Sequence, residues 1–203
     1  MANNRSVRND MGNRIAVVYG SVRSERQGIR VARFLLDVLK ERGDSGVLVD
    51  PIEYPLPLLD RMYKEYERGS APPVMEGLAE IFRSVDGFLI VSGEYNHGIP
   101  PALKNMLDHF MNEFFWRPAG LVTYSNGRFG GVRAAMQLRA TLPEQGMVTI
   151  PSLLPFGNVG DAFDEAGKPN EGYIRTSTDA FLKEFTWYVE ALRDRRAKGV
   201  PYE

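Results

Sequence analysis

Five short apolar runs alternate along this chain with stretches of helical periodicity, and that alternation restricts the fold more than any other feature. Ile15-Ala16-Val17-Val18-Tyr19, Val47-Leu48-Val49, Phe88 to Val91, Leu121 to Tyr124 and Met147 to Ile150 read as buried strands. Between them, apolar residues recur at helical spacing. The stripes are Val31, Phe34, Leu35, Val38 and Leu39; Val74, Leu78, Ile81, Phe82 and Val85; and Leu103, Met106, Leu107, Phe110 and Met111. Val132, Ala135, Met136 and Arg139 follow the fourth strand, and Phe181, Leu182, Phe185, Tyr188, Val189 and Leu192 close the chain. Right-handed crossovers between such units predict an α/β protein in which helices cover both faces of a five-stranded parallel sheet.

The 203 residues, 43% of them hydrophobic, suffice for one well-buried domain, expected over 13–203. Residues 1–12 are polar and asparagine-rich, and they read as a disordered leader without the apolar segment of a signal peptide. Two stretches interrupt the alternation, Ile52 to Pro73 and Pro151 to Gly172, and both are expected to be long loops of the kind that form lids or interface arms. A net charge of −1 provides no field for nucleic acid or an anionic membrane. No run approaches the roughly 18 apolar residues of a membrane-spanning helix. The chain has no cysteine, which excludes thiolate catalysis and disulfides and fits a reducing cytoplasm. Its two histidines, His97 and His109, show no metal-ligand spacing, so no zinc site is expected.

In open parallel sheets, ligands bind beyond the carboxyl ends of the strands. Three of the strand-to-helix turns here carry polar, glycine-rich decoration. The first, Gly20-Ser21-Val22-Arg23-Ser24-Glu25-Arg26-Gln27-Gly28, precedes a helix whose amino end offers free N–H groups and the positive end of its dipole. Ser21 and Ser24 add hydroxyls, and Arg23 and Arg26 add guanidinium groups suited to phosphate oxygens. The turn lacks both the Gly-Lys-Ser/Thr end of a nucleotide P-loop and the spaced glycines of the dinucleotide fingerprint, so a phosphomonoester fits better than a triphosphate. An N-capped helix with two solvated arginines is the other reading.

The second turn, Gly93-Glu94-Tyr95-Asn96-His97-Gly98, joins an aromatic ring and an amide to flexible backbone, and two prolines then open the next helix. The third is Ser125-Asn126-Gly127-Arg128-Phe129-Gly130-Gly131. Together they would form a slot for a flat ring, with main chain lying along its edge. Two ordinary tight turns would look the same singly. Glu94 could form a salt bridge instead, His97 could simply line the site, and Arg128 or Arg133 could either face a 2′-phosphate or sit solvated at a helix start. The aromatic cluster Phe114, Phe115 and Trp116, with Arg117 and Pro118, suits either buried core or a subunit contact.

Taken in order, Gly20-Ser21-Val22-Arg23, Tyr54-Pro55-Leu56-Pro57-Leu58, Glu94-Tyr95-Asn96, Pro100-Pro101-Ala102-Leu103-Lys104-Asn105 and Ser125 to Gly131 resemble the NADPH-dependent FMN reductase family of flavodoxin-like proteins. The resemblance spans Arg14 to Ile150. It implies a flavodoxin-like three-layer sandwich and non-covalent FMN reduced by NADPH or NADH. The electrons would pass to a quinone, azo compound, free flavin or oxidised metal species. It implies phosphate contacts from Ser21, Arg23, Arg26, Gln27 and Gly28, and ring contacts from Glu94, Tyr95, Asn96, His97, Ser125, Gly127 and Gly130. A homodimer or homotetramer completing the flavin cleft is a further implication. The cofactor carries the chemistry in such enzymes, so no catalytic dyad is needed. A non-enzymatic electron carrier or a flavin-binding regulatory module would share the fold. Gly93 departs from the proline usual at that position, and His97 occupies a position that is often small or polar.

Overall fold

The computed structural model describes residues 12–202, so the expected leader lies almost wholly outside the described residues. Strands β1 (Arg14–Tyr19), β2 (Ser45–Val49), β3 (Gly87–Ser92), β4 (Pro118–Tyr124) and β5 (Val148–Phe156) form one sheet in the order β2-β1-β3-β4-β5. Every neighbouring pair is parallel. The chain moves outward from β1 to β2, then returns to build β3, β4 and β5 on the other side. The strand order therefore reverses between β1 and β3, the place where open α/β sheets bind their ligands beyond the carboxyl ends of the strands.

Side chains alternate across the sheet as parallel strands buried on both faces require. Val17, Tyr19, Leu89, Val91 and Val122 face α1 (Ile29–Glu41) and α6 (Gly172–Arg196). Ala16, Val18, Phe88, Ile90 and Leu121 face α2 (Pro73–Ser84), α3 (Pro101–Asp108) and α4 (Val132–Glu144). The second layer is closed by Phe82, Phe88, Phe110 and Phe114, whose rings meet at centroid distances between 5.0 and 6.3 Å. Phe110 and Phe114 are fully buried, so Phe114 of the aromatic cluster is core.

Three expectations need correction. Helix α3 stops at Asp108, and Phe110 enters the core from the loop beyond it rather than from a helical stripe. Met136 is 54% exposed and does not belong to the buried face of α4. The stretch 151–172 is not a long loop: β5 continues through Phe156, a short helix α5 (Val159–Ala162) follows, and Phe163 bridges Pro169. Pro151 and Pro155 concealed this strand. Both are tolerated because β5 is an edge strand, where a missing N–H breaks no inner ladder.

The first long loop holds only a single 3-10 turn at Tyr63–Glu65 and is tied down by α3. Asn105 accepts from the Leu59 N–H at 3.0 Å and donates to the Pro57 carbonyl at 2.7 Å, joining the Pro-Leu-Pro segment to the helix. Among the described residues, no helix is long and apolar enough to cross a membrane. Asn105→Ala should free this loop: amide exchange at Leu59 should rise, and urea denaturation should show a loss of about 1–3 kcal/mol. Unchanged exchange at Leu59 would show that the loop is held by other contacts.

Candidate cofactor site at the carboxyl edge

The turn after β1 sits at the point of strand reversal. Ser21 is buried, and its Oγ lies 2.8 Å from the Tyr95 hydroxyl, which joins the first turn to the second. Arg26 is committed to the protein. Its Nη1 pairs with Asp50 Oδ1 at 2.5 Å and donates to the Ser21 carbonyl at 3.2 Å, and its guanidinium lies over the Tyr19 ring. Asp50 is 1% exposed at the end of β2, and its hydrogen bond raises the Arg26 pKa further above its ordinary value. A carboxylate so buried requires its cation, so Arg26 shapes the turn. Arg23, by contrast, is exposed and has no acidic partner among the described residues. The backbone N–H groups of Ser24, Glu25, Arg26, Gln27 and Gly28 donate to no acceptor among the described residues. This row of donors leads into the amino end of α1, a thirteen-residue helix.

The turn after β3 is a two-residue hairpin. Tyr95 N–H donates to the Gly98 carbonyl at 3.1 Å, and Gly98 N–H donates to the Tyr95 carbonyl at 2.9 Å. The central residues, Asn96 and His97, both have positive φ (50° and 66°), as in a type I′ turn. Backbone freedom was expected at Gly93 and Gly98, yet the left-handed positions are non-glycine. The two glycines answer to packing instead: a Cβ at Gly93 would lie 3.2 Å from the Tyr124 hydroxyl, and one at Gly98 would lie 3.3 Å from Gln137 Oε1. Asn96 and His97 project to solvent at the rim.

Glu94 faces away from the crevice. Its carboxylate accepts from the Arg133 and Ala134 N–H groups at 2.9 and 3.3 Å and caps the first turn of α4, with Arg133 Nη1 at 3.4 Å. Gln137 completes the clamp by donating to the His97 carbonyl and accepting from the Ile99 N–H. Gln137 was missed because nothing in a helical register marks a residue that braces a neighbouring turn. In the turn after β4, Ser125 Oγ donates to the Gly127 carbonyl at 2.7 Å. Gly130 is buried at φ 62°, where a Cβ would meet Pro155 at 2.9 Å. It therefore gives the turn its shape, whereas a side chain at Gly127 would meet nothing within 4 Å.

Comparison with known proteins shows which family the chain belongs to. Residues 13–161 match the model of the family described as NADPH-dependent FMN reductase. The chain belongs to that family. It is 31% identical over 190 residues to a quinone reductase of Pseudomonas putida, covering 88% of this chain and 96% of the relative. It is 32% identical over 164 residues to the NAD(P)H-dependent FMN reductase ntnL of a Nectria species, covering 74% of this chain and 79% of that one. Among solved structures, the flavoenzyme NAD(P)H:(acceptor) oxidoreductase FerB of Paracoccus denitrificans superposes with a TM-score of 0.72 at 21% identity, covering 88% and 98% of the two chains. A flavodoxin mutant from Pseudomonas aeruginosa superposes at 0.51 and 17% identity, covering 87% and 99%, and shares the fold. The FMN reductase family is one of flavin-dependent oxidoreductases, and the enzyme class and the flavodoxin-like fold expected from the motifs both stand.

Within this FMN reductase family member, one further residue holds the three turns together. The Tyr124 ring ends β4 and fills the space that a Cβ at Gly28 would occupy, 2.0 Å from its Cζ. Its other edge abuts Gly93, so a larger residue there would press on the ring. The Tyr124 hydroxyl donates to that of Tyr19 at 3.3 Å, and the two rings stack at 6.3 Å. Both tyrosines looked like ordinary strand ends in the sequence. Burial pushes both phenols above the usual tyrosine range; the hydrogen bond from Tyr124 opposes the rise at Tyr19, while the Tyr19 charge reinforces it at Tyr124.

The unfolded chain ionises its tyrosines near pH 10 while the folded chain keeps these two protonated. Stability from this pair is therefore full below about pH 10 and falls as pH rises above it. Tyr124→Phe should flatten that alkaline loss in denaturation curves recorded from pH 8 to 11. An equal slope in both proteins would remove Tyr124 from the account. Gly28→Ala should destabilise by about 1–3 kcal/mol through overpacking, and the double variant Gly28→Ala with Tyr124→Ala should recover part of that loss by thermal melting.

Proposed function

We propose that this protein is an NAD(P)H-dependent FMN oxidoreductase that holds the FMN phosphate at the turn after β1 and the isoalloxazine along the turns after β3 and β4. The observation that carries the reading is the unpartnered row of N–H groups from Ser24 to Gly28, with Arg23 beside it, at the point where strand order reverses. Free donors at a helix amino end and one uncommitted guanidinium suit a phosphate dianion. Gln27 and Ser21 border the same turn. Arg26 acts indirectly, by fixing the Ser21 carbonyl. Tyr95, Asn96, His97 and Gly127 edge the ring, while Glu94, Ser125 and Gly130 hold the backbone that faces it.

Bound FMN supplies an electron-carrying ring that takes hydride from the nicotinamide and releases electrons to an acceptor. The protein's part is to bind, orient and exclude water. Buried, neutral Tyr19 and Tyr124 keep the floor of the crevice uncharged. The braced hairpin presents a rigid edge instead of a mobile loop. The names of relatives favour a quinone as acceptor, with azo compounds, free flavin and oxidised metal species as further candidates. A cytoplasmic homodimer or homotetramer fits the absence of cysteine and the exposed Leu58, 86% accessible on the first long loop. Light scattering at micromolar concentration should give a mass above that of one chain.

Purified protein mixed with FMN should turn yellow and bleach rapidly when NADPH is added anaerobically; retained flavin that NADPH does not bleach would refute the enzyme reading. Arg23→Ala should weaken FMN about 10- to 100-fold, the value of a hydrogen bond to a charged group, while leaving riboflavin affinity unchanged. Equal FMN affinity in the variant would move the phosphate elsewhere.

A further inference from the structure

We infer that Phe129, with Arg128 and Arg133, is the docking platform for the 2′-phosphoadenosine end of NADPH and selects it over NADH. This rests on the flavin reading above and adds the second nucleotide to it. Phe129 is 52% exposed, and the guanidinium carbons of Arg128 and Arg133 lie 4.8 and 4.9 Å from its ring centroid. Single exposed aromatics are common, but two cations converging on one ring make a flat and positively charged surface. The ligand complementary to it is flat and anionic, as a phosphorylated purine is.

Position supports the assignment. Arg23 stands beyond β1 and Arg128 beyond β4, with the hairpin after β3 between them. Parallel strands lie about 4.8 Å apart, so two steps separate these turns by roughly 10 Å across the sheet edge. One cationic end therefore suits the flavin phosphate, and the other suits a phosphate on a second molecule. The guanidiniums differ in freedom. Arg133 shares Glu94, whereas Arg128 has no acidic partner among the described residues. The space beside Gly127 is open, so a ligand can approach. With a net charge of −1 the chain offers no broad attraction for polynucleotides, which leaves a small nucleotide as the occupant.

The probes are adenosine 2′,5′-bisphosphate and adenosine 5′-monophosphate, titrated calorimetrically into FMN-saturated protein and into protein stripped of flavin. Wild type should prefer the bisphosphate by about tenfold or more, the discrimination expected from one charge-assisted contact. Arg128→Ala should abolish most of that preference, weakening the bisphosphate far more than the monophosphate, while Phe129→Leu should weaken both probes alike. Equal binding of the two probes by wild type, or an Arg128→Ala variant that keeps the preference, would overturn the inference. So would a Phe129→Ser variant of altered mass in light scattering with both affinities intact, which would assign the ring to a subunit contact. Protein that never takes up FMN would reject the flavin reading alone, because the adenosine titration needs no flavin.

Discussion

The Tyr124 ring between Gly28 and Gly93 is the contact on which the site depends. It joins elements far apart in the chain: the amino end of α1, the start of the β3 hairpin and the end of β4. The ring fits because Gly28 lacks a Cβ, which would fall 2.0 Å from Tyr124 Cζ, and it packs closely on Gly93, where a Cβ would lie 3.2 Å away. Close-packed interiors do not absorb such an overlap. The bond between Ser21 and Tyr95 adds a second tie across the same crevice. The turns after β1 and β3 consequently keep a fixed spacing, which suits a rigid two-part ligand.

The charges at the sheet edge are sorted by what they hold. Arg26 is spent on buried Asp50, and Glu94 on the first turn of α4. These interactions set backbone geometry and contribute little net field. Left without an ion-pair partner among the described residues at these turns are Arg23, Glu25 and Arg128, beside a row of backbone N–H donors. The donor row and the two free guanidiniums favour anions, and the Glu94 carboxylate beside them is balanced by Arg133. It also accounts for a protein of nearly zero net charge that works with phosphorylated ligands.

Much of the fold was legible in the sequence because its strands are buried on both faces and thus continuously apolar. β1, β3 and β4 show this plainly. β5 was only half visible, since an edge strand tolerates Pro151 and Pro155 and alternates in burial. The candidate site is marked in the sequence as three turns, because strand-end polar residues and glycines are local signals. Their internal assignments were less so. That Glu94 turns toward α4, that Arg26 binds Asp50, and that Asn96 and His97 adopt positive φ all follow from tertiary contacts without a local signature. Tyr124 and Gln137 were missed for the same reason: each acts on a turn remote from it in sequence.

The central claim is that the N–H row from Ser24 to Gly28 holds a phosphate while the β3 hairpin meets a ring. Amide chemical shifts recorded while titrating FMN and, separately, riboflavin test it directly. The account predicts that Tyr95 to Gly98 respond to both ligands and that Ser24 to Gly28 respond to FMN alone. First-turn amides that stay unmoved by FMN, or that move equally with riboflavin, would contradict it.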